Sequence, residues 1–327
     1  MKVRYLSAVV IASFATNAVA QDLATPKCPS GPPLSATVAQ DACQQAFDVY
    51  QFMAPQLGLA LTGGNATAGQ GGVLGGLGHF SVGIRVNGFH GKIPDVNNPA
   101  FAQNINGAQR RTLPTTDEWV GLPTADAAVG IFKGFPLGLS NVLGVDALAS
   151  MSYVPTLSRS DFSVTPSSNF QFGYGARLGL LSESIVTPGI SFTWLERDLP
   201  KTDLVANLAG ASLSVTDTKV KTKAWRVVAS KSLIVFSVAG GIGQDKYEQS
   251  AVVRGSFSGA TAEAPGTNES LTRVNFFGDF AYNLPLLKIV AEIGHATGGT
   301  VQTYNSFSGG RADQSYTYGS LGIRLSR

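Results

Sequence analysis

The stretch NFQFGYGARLGLL, residues 169–181, decides the fold class. Its even-numbered positions are the apolar or aromatic residues Phe170, Phe172, Tyr174, Ala176, Leu178 and Leu180. The odd-numbered positions from 169 to 179 carry Asn, Gln, Gly and Arg. Apolar residues at every second position indicate a β-strand with one apolar and one polar face. Soluble strands average about 5–6 residues, whereas a strand that crosses a membrane in a tilted barrel needs about 9–11. The length of this stretch is typical of the second kind.

The same alternation recurs along the chain. It occurs in residues 79–88, 142–153, 189–194, 272–282, 286–295 and 317–327. The polar faces carry mainly Gly, Ser, Asn and Gln, rather than the Lys and Glu expected on a water-facing sheet. Turn signals separate these segments, and no helical pattern interrupts them. The sequence therefore predicts an all-β protein, an antiparallel transmembrane β-barrel of about 12–14 strands with a short N-terminal helix. A soluble all-β protein is the alternative.

The composition is consistent with this prediction. Only 14% of the 327 residues are charged, compared with about 25% in an average soluble domain. No segment after the N-terminal twenty residues reaches the roughly 18 uninterrupted apolar residues of a transmembrane helix. The formal net charge is +3, which excludes the strongly basic balance of a nucleic-acid-binding protein.

Residues 1–20 have the pattern of an export signal. Lys2 and Arg4 precede an apolar stretch, and Ala18-Val19-Ala20 is a small-x-small cleavage site. Export to an oxidising compartment predicts a disulfide between the two cysteines, Cys28 and Cys43. Two cysteines without a nearby histidine do not make a metal site.

A short amphipathic helix is predicted after a proline-rich coil. Ser35 or Thr37 can cap it, apolar residues recur at helical spacing, and Pro55 is expected to end it at Ala54. The predicted organisation is a signal peptide at 1–20, a disulfide-tied coil and helix at 21–56, and a barrel at 57–327.

These features resemble those of bacterial outer-membrane β-barrel proteins, and the resemblance extends over residues 57–325. The helical segment ahead of Leu57 is similar to the N-terminal hatch that occupies the lumen of long-chain fatty-acid transporter barrels. GLPTADAAVGIFKGFPLGL, residues 121–139, running into GVDALAS, residues 144–150, is similar to a family of uncharacterised exported barrel proteins. The resemblance implies an outer-membrane location, contact with outer-membrane lipid and with the barrel-insertion machinery, and a porin-like or transporter-like role.

The sequence offers few groups for catalysis. His79 and Ser81 lie two apart, similar to the His-x-Ser pair of outer-membrane phospholipases and lipid A deacylases. The residues that follow, Val82-Gly83, differ from the phospholipase pattern, and no orienting group stands at motif spacing. Glu292 and His295, three apart on a strand, point to opposite faces and cannot share a metal. We therefore expect no enzyme activity, no cofactor and no metal.

Charged residues on the polar strand faces are the remaining candidates for a functional site. They are Arg85, Asp146, Arg177, Asp279, Lys288, Glu292 and Arg324. Charges at membrane depth must face water or pair, so these residues are expected to line the lumen, either as a selective pore or as pairs in a closed barrel. The tryptophans Trp119, Trp194 and Trp225 are expected in interfacial girdles.

The expected function is a passive channel or transporter for small polar or amphipathic solutes. A structural or surface-binding barrel is the alternative, and a lipid hydrolase is a third, weaker one.

Overall fold

The computed structural model describes residues 24–29, 31–67, 69–95, 107–158, 162–208 and 210–327. The predicted signal peptide, residues 1–20, lies outside the described residues. Among the described residues, no helix has both the length and the hydropathy of a membrane span.

Ten long strands form the wall of a barrel, and we number them β1 to β10 along the chain. They are Phe80–Pro94 (β1), Thr115–Phe132 (β2), Gly144–Tyr153 (β3), Phe170–Leu181 (β4), Gly189–Asp198 (β5), Ala211–Ser232 (β6), Phe236–Phe257 (β7), Thr267–Asn283 (β8), Leu287–Ala296 (β9) and Tyr316–Ser326 (β10). Each strand pairs antiparallel with the next, and β1 pairs with β10 to close the ring, for example Ile84 with Ile323. The predicted antiparallel barrel with an N-terminal helix is confirmed.

Short strands extend the sheet beyond the ring. Four of them join it, at Leu157–Ser158, Phe162–Pro166, Thr202–Leu208 and Ala260–Glu263, which gives a sheet of fourteen strands in total. Thr112–Leu113 pairs parallel with Ser306–Phe307, and Phe135–Leu137 pairs with Ser140–Val142. The expected 12–14 strands therefore match the whole sheet, while ten of them close the barrel.

The two ends of the barrel differ. At one end, which we call the turn end, the strands are joined by residues 133–143, 182–188, 233–235 and 284–286. At the other, the loop end, the connections are residues 95–114, 154–169, 199–210, 258–266 and 297–315. Strands β6 and β7 continue toward the loop end as a 22-residue pair, and the short strands of the extended sheet flank them there.

Helix α1, Leu34–Thr62, runs inside this wall and is almost entirely buried. It begins at the loop end, where residues near its start pack against Val253 and Ala262. The predicted stop before Pro55 is wrong, since the helix continues for seven residues beyond that proline. Proline in a helix interior costs about 3 kcal/mol, but Leu59 and Leu61 are buried against the wall, and this burial outweighs the lost hydrogen bond. The predicted barrel start at residue 57 thus falls within the helix, and the first barrel strand begins at Phe80.

The alternation of the sequence separates an outer face from an inner one. Phe172 is 71% exposed on the outside of β4, whereas Arg177, on the opposite parity, is fully buried. Large apolar side chains cover the outside of the strands near the turn end, such as Ile84 and Ile289. Trp194 pairs with Trp225 across β5 and β6, and both lie on this outer face next to the charged Glu196 and Lys223. Trp119 is also exposed, beside His90.

The disulfide joins Cys28 to Cys43. It is buried in an apolar cluster that includes Phe47 of the helix and Val215 of β6. The disulfide therefore fixes the coil before α1 to the first half of the helix, at the loop end.

Candidate functional site

The lumen is filled by the chain that precedes β1. We call residues 34–67 and 69–78 the plug; it consists of α1 and a glycine-rich segment, residues 63–78 of the sequence, that leads from the end of α1 to the turn end. An eight-stranded barrel has an interior that side chains alone fill, and a helix with its side chains is about 10–12 Å across. A barrel of ten strands is wide enough to admit one helix, and α1 takes that space.

Three arginines of the wall meet at the C-terminal end of α1, and we call them the collar. Arg85 Nη1 donates to the Gly63 carbonyl at 2.7 Å, and Arg197 Nη1 donates to the Leu61 carbonyl at 3.1 Å. Arg226 donates to the carbonyls of Gly64, at 2.6 Å, and Thr62. The last carbonyls of a helix lack intrahelical donors and carry the negative end of its dipole. The collar supplies both the missing donors and the opposite charge.

Two aspartates hold the collar in position. Asp126 accepts from Arg85 Nε at 2.6 Å and from Arg197 Nη2 at 3.2 Å, and so bridges these two arginines. Asp245 lies 3.7 Å from Arg226 and accepts from Asn275 at 2.6 Å. Each buried arginine therefore has a carboxylate nearby, with Asp126 shared by two of them, and the negative end of the helix dipole supplies further opposite charge.

Asn87 adds an uncharged contact to the same helix end. Its amide donates to the carbonyls of Leu59 and Ala60, at 3.2 and 2.9 Å. Together with the collar, it gives every carbonyl from residue 59 to residue 64 a donor from the wall.

Acidic and hydroxyl side chains of the wall accept hydrogen bonds from the glycine-rich segment, whereas the collar donates hydrogen bonds to the helix end. The amide N–H of Asn65 donates to Glu292, at 2.7 Å, and that of Gly69 donates to Asp279, at 2.9 Å. The N–H of Leu74 donates to Asp146. Further along the wall, the N–H of Gly71 donates to Ser230, and Arg324 donates to the carbonyl of Thr67. The backbone of this segment is thus held by wall side chains and not by strand pairing.

All seven sequence-predicted charged residues point inward. Asp146 and Arg177 form a fully buried pair at 2.6 Å. Asp279 and Glu292 face each other across β8 and β9. Arg85, Glu292 and Arg324 are buried and touch the plug, and Lys288 is half-buried at the turn end. Six of these seven therefore bind the plug or pair with a residue that does.

Several residues of the site were not singled out in the sequence. They are Asn87, Asp126, Arg197, Arg226, Ser230 and Asp245. Strand parity contains the signal for several of them, such as Asn87, which shares the parity of Arg85. Trp194 and Trp225 face outward, so Arg197 and Arg226, at the opposite parity, face inward. What parity does not show is that both arginines converge on a helix end.

Glycine allows the segment to lie close to the wall. Eight of the sixteen residues from 63 to 78 are glycine. At Gly64 the backbone has φ of +79°, and a Cβ there would overlap Arg85 Nη1. A side chain at position 64 would therefore both strain the backbone and displace the collar.

The first half of α1 is bound by loops at the loop end. Asp48 accepts from the N–H groups of Tyr304 and Asn305, each at 2.9 Å, and from the side chain of Asn305. Asp41 accepts from the N–H of Gln109 and from Arg111. The polar face of the helix is therefore covered by loops, and only a few of its residues are even partly exposed.

Burial affects the titration of Asp48. It raises the pKa of this carboxyl to about 6 from its ordinary value of 3.8, and N–H donation from Asn305 and Tyr304 lowers the pKa in part. Between about pH 4 and pH 6 the folded protein holds this proton more tightly than the unfolded chain does. The free energy of unfolding should therefore fall as the pH rises through this window, and be flat above it.

Asp48→Asn is expected to remove this pH dependence. The shift, 6 − 3.8 = 2.2 pH units, corresponds to about 3 kcal/mol at most. Urea unfolding midpoints of the parent and the variant between pH 4 and pH 7 measure it. Asp217→Asn, at an exposed position, serves as the control. A difference between parent and Asp48→Asn that stays constant across this range would contradict the expectation.

The packing leaves little free space at the collar. A cavity of about 20 Å³ lies between Asn65, Ala66 and the wall around Arg85, enough for about one water molecule. In a water-filled pore the inward side chains would be exposed, yet Asp146, Arg177 and Asn275 are each 0% exposed. In the described conformation, packing therefore closes the lumen around these residues.

The structure separates the pair considered for hydrolysis. His79 is exposed at the turn end, whereas Ser81 is 4% exposed inside the lumen. No hydrogen bond joins these two described side chains. Within the described part of the chain, no cluster of three or more potential metal ligands occurs.

Comparison with known proteins gives similarities of fold only. No protein-family model and no curated protein matches the chain. Among solved structures, the translocator domain of the autotransporter NalP from Neisseria meningitidis is 10% identical, with 88% of this chain and 98% of that chain covered and a TM-score of 0.41. The Pseudomonas putida toluene transporter TodX is 13% identical, with 76% and 88% covered and a TM-score of 0.35.

OmpT, an outer membrane protein of Vibrio cholerae, is 9% identical, with 82% and 99% covered and a TM-score of 0.21. All three TM-scores lie below 0.5, so these similarities do not bear on function.

Proposed function

We propose that this protein is an outer-membrane β-barrel that is closed at rest by its own N-terminal plug and passes small polar or amphipathic solutes when the plug moves. The observation that carries the proposal is the nature of the contact between plug and wall. The plug makes no strand pairing with the wall, and at the collar it is held by side-chain hydrogen bonds. The wall behind it is polar, so water can hydrate it once the plug is displaced.

The outer face supports the membrane location. A soluble protein rarely exposes apolar patches beyond a few hundred Å², yet here large apolar side chains surround the barrel near the turn end. An aromatic level formed by Trp194 and Trp225 separates this band from charged residues. A closed ring leaves no unpaired strand edge in lipid. These features together fit a barrel embedded in a bilayer.

An arginine substituted on the outer face should lower the free energy of unfolding, and the loss should be larger the deeper the position lies in the bilayer. Ile84 is 64% exposed and lies four residues above the start of β1. Ile84→Arg is expected to lower the free energy of unfolding by about 2–4 kcal/mol in lipid vesicles, and Phe172→Arg, nine residues from the turn end of β4, by about 0–1 kcal/mol. Urea unfolding followed by tryptophan fluorescence measures both. Equal effects at the two positions would argue against a lipid-facing band.

A permanently closed, structural barrel is the second candidate. Apolar clusters favour it, because α1 contributes Phe47, Phe52 and Leu59 to three separate buried groups. The disulfide also anchors the first half of the helix. The glycine-rich segment contributes only the partly buried Ala66 and Leu74 to such a cluster, so it is the part of the plug most easily displaced.

Single-channel recording separates these two candidates. The unmodified protein, folded and oxidised, is expected to be silent in a planar bilayer at low voltage. Loss of the collar contacts should then produce conductance steps under the transport proposal and none under the structural one. Stable, long-lived open steps from the unmodified protein would contradict a plug that is closed at rest.

A further inference from the structure

The turns at the turn end expose an unusual number of apolar side chains. Each of the four turns carries at least one, and the glycine-rich segment adds another where it leaves the lumen. They are Leu77, Phe135, Leu137, Leu139, Leu143, Ile185, Val186, Leu233, Ile234, Val235, Leu284 and Leu286. Ile185 and Ile234 are each 96% exposed. Turn positions in water normally carry Gly, Asn, Asp or Ser. The exposed apolar side chains therefore indicate that a non-aqueous surface covers these turns.

The opposite end does not share this property. In the described residues of the five loop-end connections, Leu157 is the one exposed large apolar side chain. Apolar tips are therefore a feature of one end of the barrel and not of its connections in general.

We propose that the turn end is immersed in one lipid leaflet, with the four turns lying among the phosphate and glycerol groups and the first carbons of the acyl chains. The proposal rests on the membrane location proposed above and adds how deeply the barrel sits and what covers its turns.

The height of the apolar band supports this depth. A strand tilted by about 40° rises roughly 2.5 Å per residue along the barrel axis. On β6, the seven steps from Trp225 to Ser232 therefore span about 18 Å, less than the apolar band of about 25 Å typical of such barrels. Including the turn around Ile234 adds about 5 Å by the same rise per residue and brings the band close to the expected height.

The charges at this end fit a lipid surface with phosphate groups. Apart from the inward-pointing Asp146, Arg177, Asp279, Lys288, Glu292 and Arg324, the turn end carries Lys133, Lys231, Arg327 and Glu183. Three cationic side chains and one anionic side chain give 3 − 1 = 2 net positive charges. Lys231 Nζ donates to the carbonyls of Ser184, Ile185 and Thr187, which places a cation directly behind the most exposed turn. Apolar tips beside cations match the order of acyl chain and anionic phosphate in a leaflet.

Depth-dependent quenching tests the proposal. Single cysteines at Ile185, Ile234, Ile84 and Glu263 are labelled with a polarity-sensitive dye, since the native cysteines are joined and none is free. The protein is placed in vesicles of phosphatidylcholine and phosphatidylglycerol that carry a nitroxide either near the headgroup or deep in the acyl chain. Ile84 reports the outer band, and Glu263, half-exposed on the extended sheet, reports water.

The expected result is strong quenching at 185 and 234 by the shallow nitroxide, stronger quenching at 84 by the deep one, and none at 263. Lys133→Gln with Arg327→Gln should reduce the quenching at 185 and 234 only when phosphatidylglycerol is present. Quenching at 84 with none at 185 and 234 would overturn the proposed immersion. It would indicate instead that a protein partner covers the turns. Absence of quenching at 84 would instead reject the membrane location itself.

Discussion

Replacement of the collar is expected to convert a closed barrel into a permeable one. The variant carries Arg85→Gln, Arg197→Gln and Arg226→Gln, together with Asp126→Asn and Asp245→Asn so that no carboxylate is left buried without a partner. The three arginines make four hydrogen bonds to carbonyls of the plug. Hydrogen bonds to charged groups contribute about 1.5–3 kcal/mol each, so their loss removes several kcal/mol from the closed state.

The free energy lost is comparable to the change that reverses an equilibrium between a closed and an open form. About 5.5 kcal/mol moves a population from 99:1 to 1:99. Sugar influx into liposomes should therefore rise by about two orders of magnitude if the parent is closed about 99% of the time. Arg254→Gln with Glu263→Gln removes an exposed ion pair of 2.6 Å and serves as the matched control. Influx by a folded, heat-modifiable collar variant at the parental rate would show that the collar does not hold the plug.

An equally large effect is expected for the accessibility of the two ends of the barrel to a reagent outside the cell. Ala24 lies at the loop end, where its carbonyl accepts from Arg110 and its N–H donates to Thr303. Arg327 exchanges backbone hydrogen bonds with Phe80 at the turn end. The coil before α1 therefore lies at the loop end, and the plug ends beside the start of β1 at the turn end. Long loops face the cell exterior in bacterial barrels, so the segment around residue 24 should be on the cell surface.

Cysteine labelling on intact cells measures this orientation. Thr25→Cys, exposed at the loop end, should react fully with a membrane-impermeant maleimide. Lys133→Cys, exposed at the turn end, should react only after the outer membrane is permeabilised, and more slowly than Thr25→Cys because lipid headgroups surround the turns. The reverse pattern would place the loop end in the periplasm and contradict the orientation.

The facing of the strands could be predicted because it depends on local alternation. Parity alone assigns Phe172 to the outside and Arg177 to the inside, and the same rule places Arg324 in the lumen. The number of strands that close the ring could not be predicted from the sequence. The 22-residue strands β6 and β7 pass through the barrel and beyond it, and short strands such as Thr202–Leu208 pair with them outside the ring. Strand length alone does not distinguish these cases.

The plug could be predicted only in part. Helical spacing identifies the first half of α1, and the export signal predicts the disulfide between Cys28 and Cys43. Pro55, however, is a local stop signal that burial in the lumen overrides. Beyond the helix, residues 63–78 have neither helical nor strand periodicity. Their course is set by wall side chains from Glu292 to Asp146 that are distant in sequence. Long-range hydrogen bonds of this kind leave no pattern in the segment that receives them.

The most direct test of the closed lumen is a reversible lock between plug and wall. A Cβ added at Gly63 would lie 2.7 Å from Cγ of Asn87, so Gly63→Cys and Asn87→Cys place two sulfurs within bonding reach. The pair is introduced into the collar variant, with Cys28→Ser and Cys43→Ser to exclude the native disulfide. The same variant without the lock is the control, and it should conduct with or without reductant.

Conductance in a planar bilayer is recorded from the locked protein before and after reductant is added. If the plug closes the barrel, the oxidised protein is silent and conductance steps begin on reduction. Steps of the same size and frequency before and after reduction would mean that solutes pass with the plug in place, and would contradict the account.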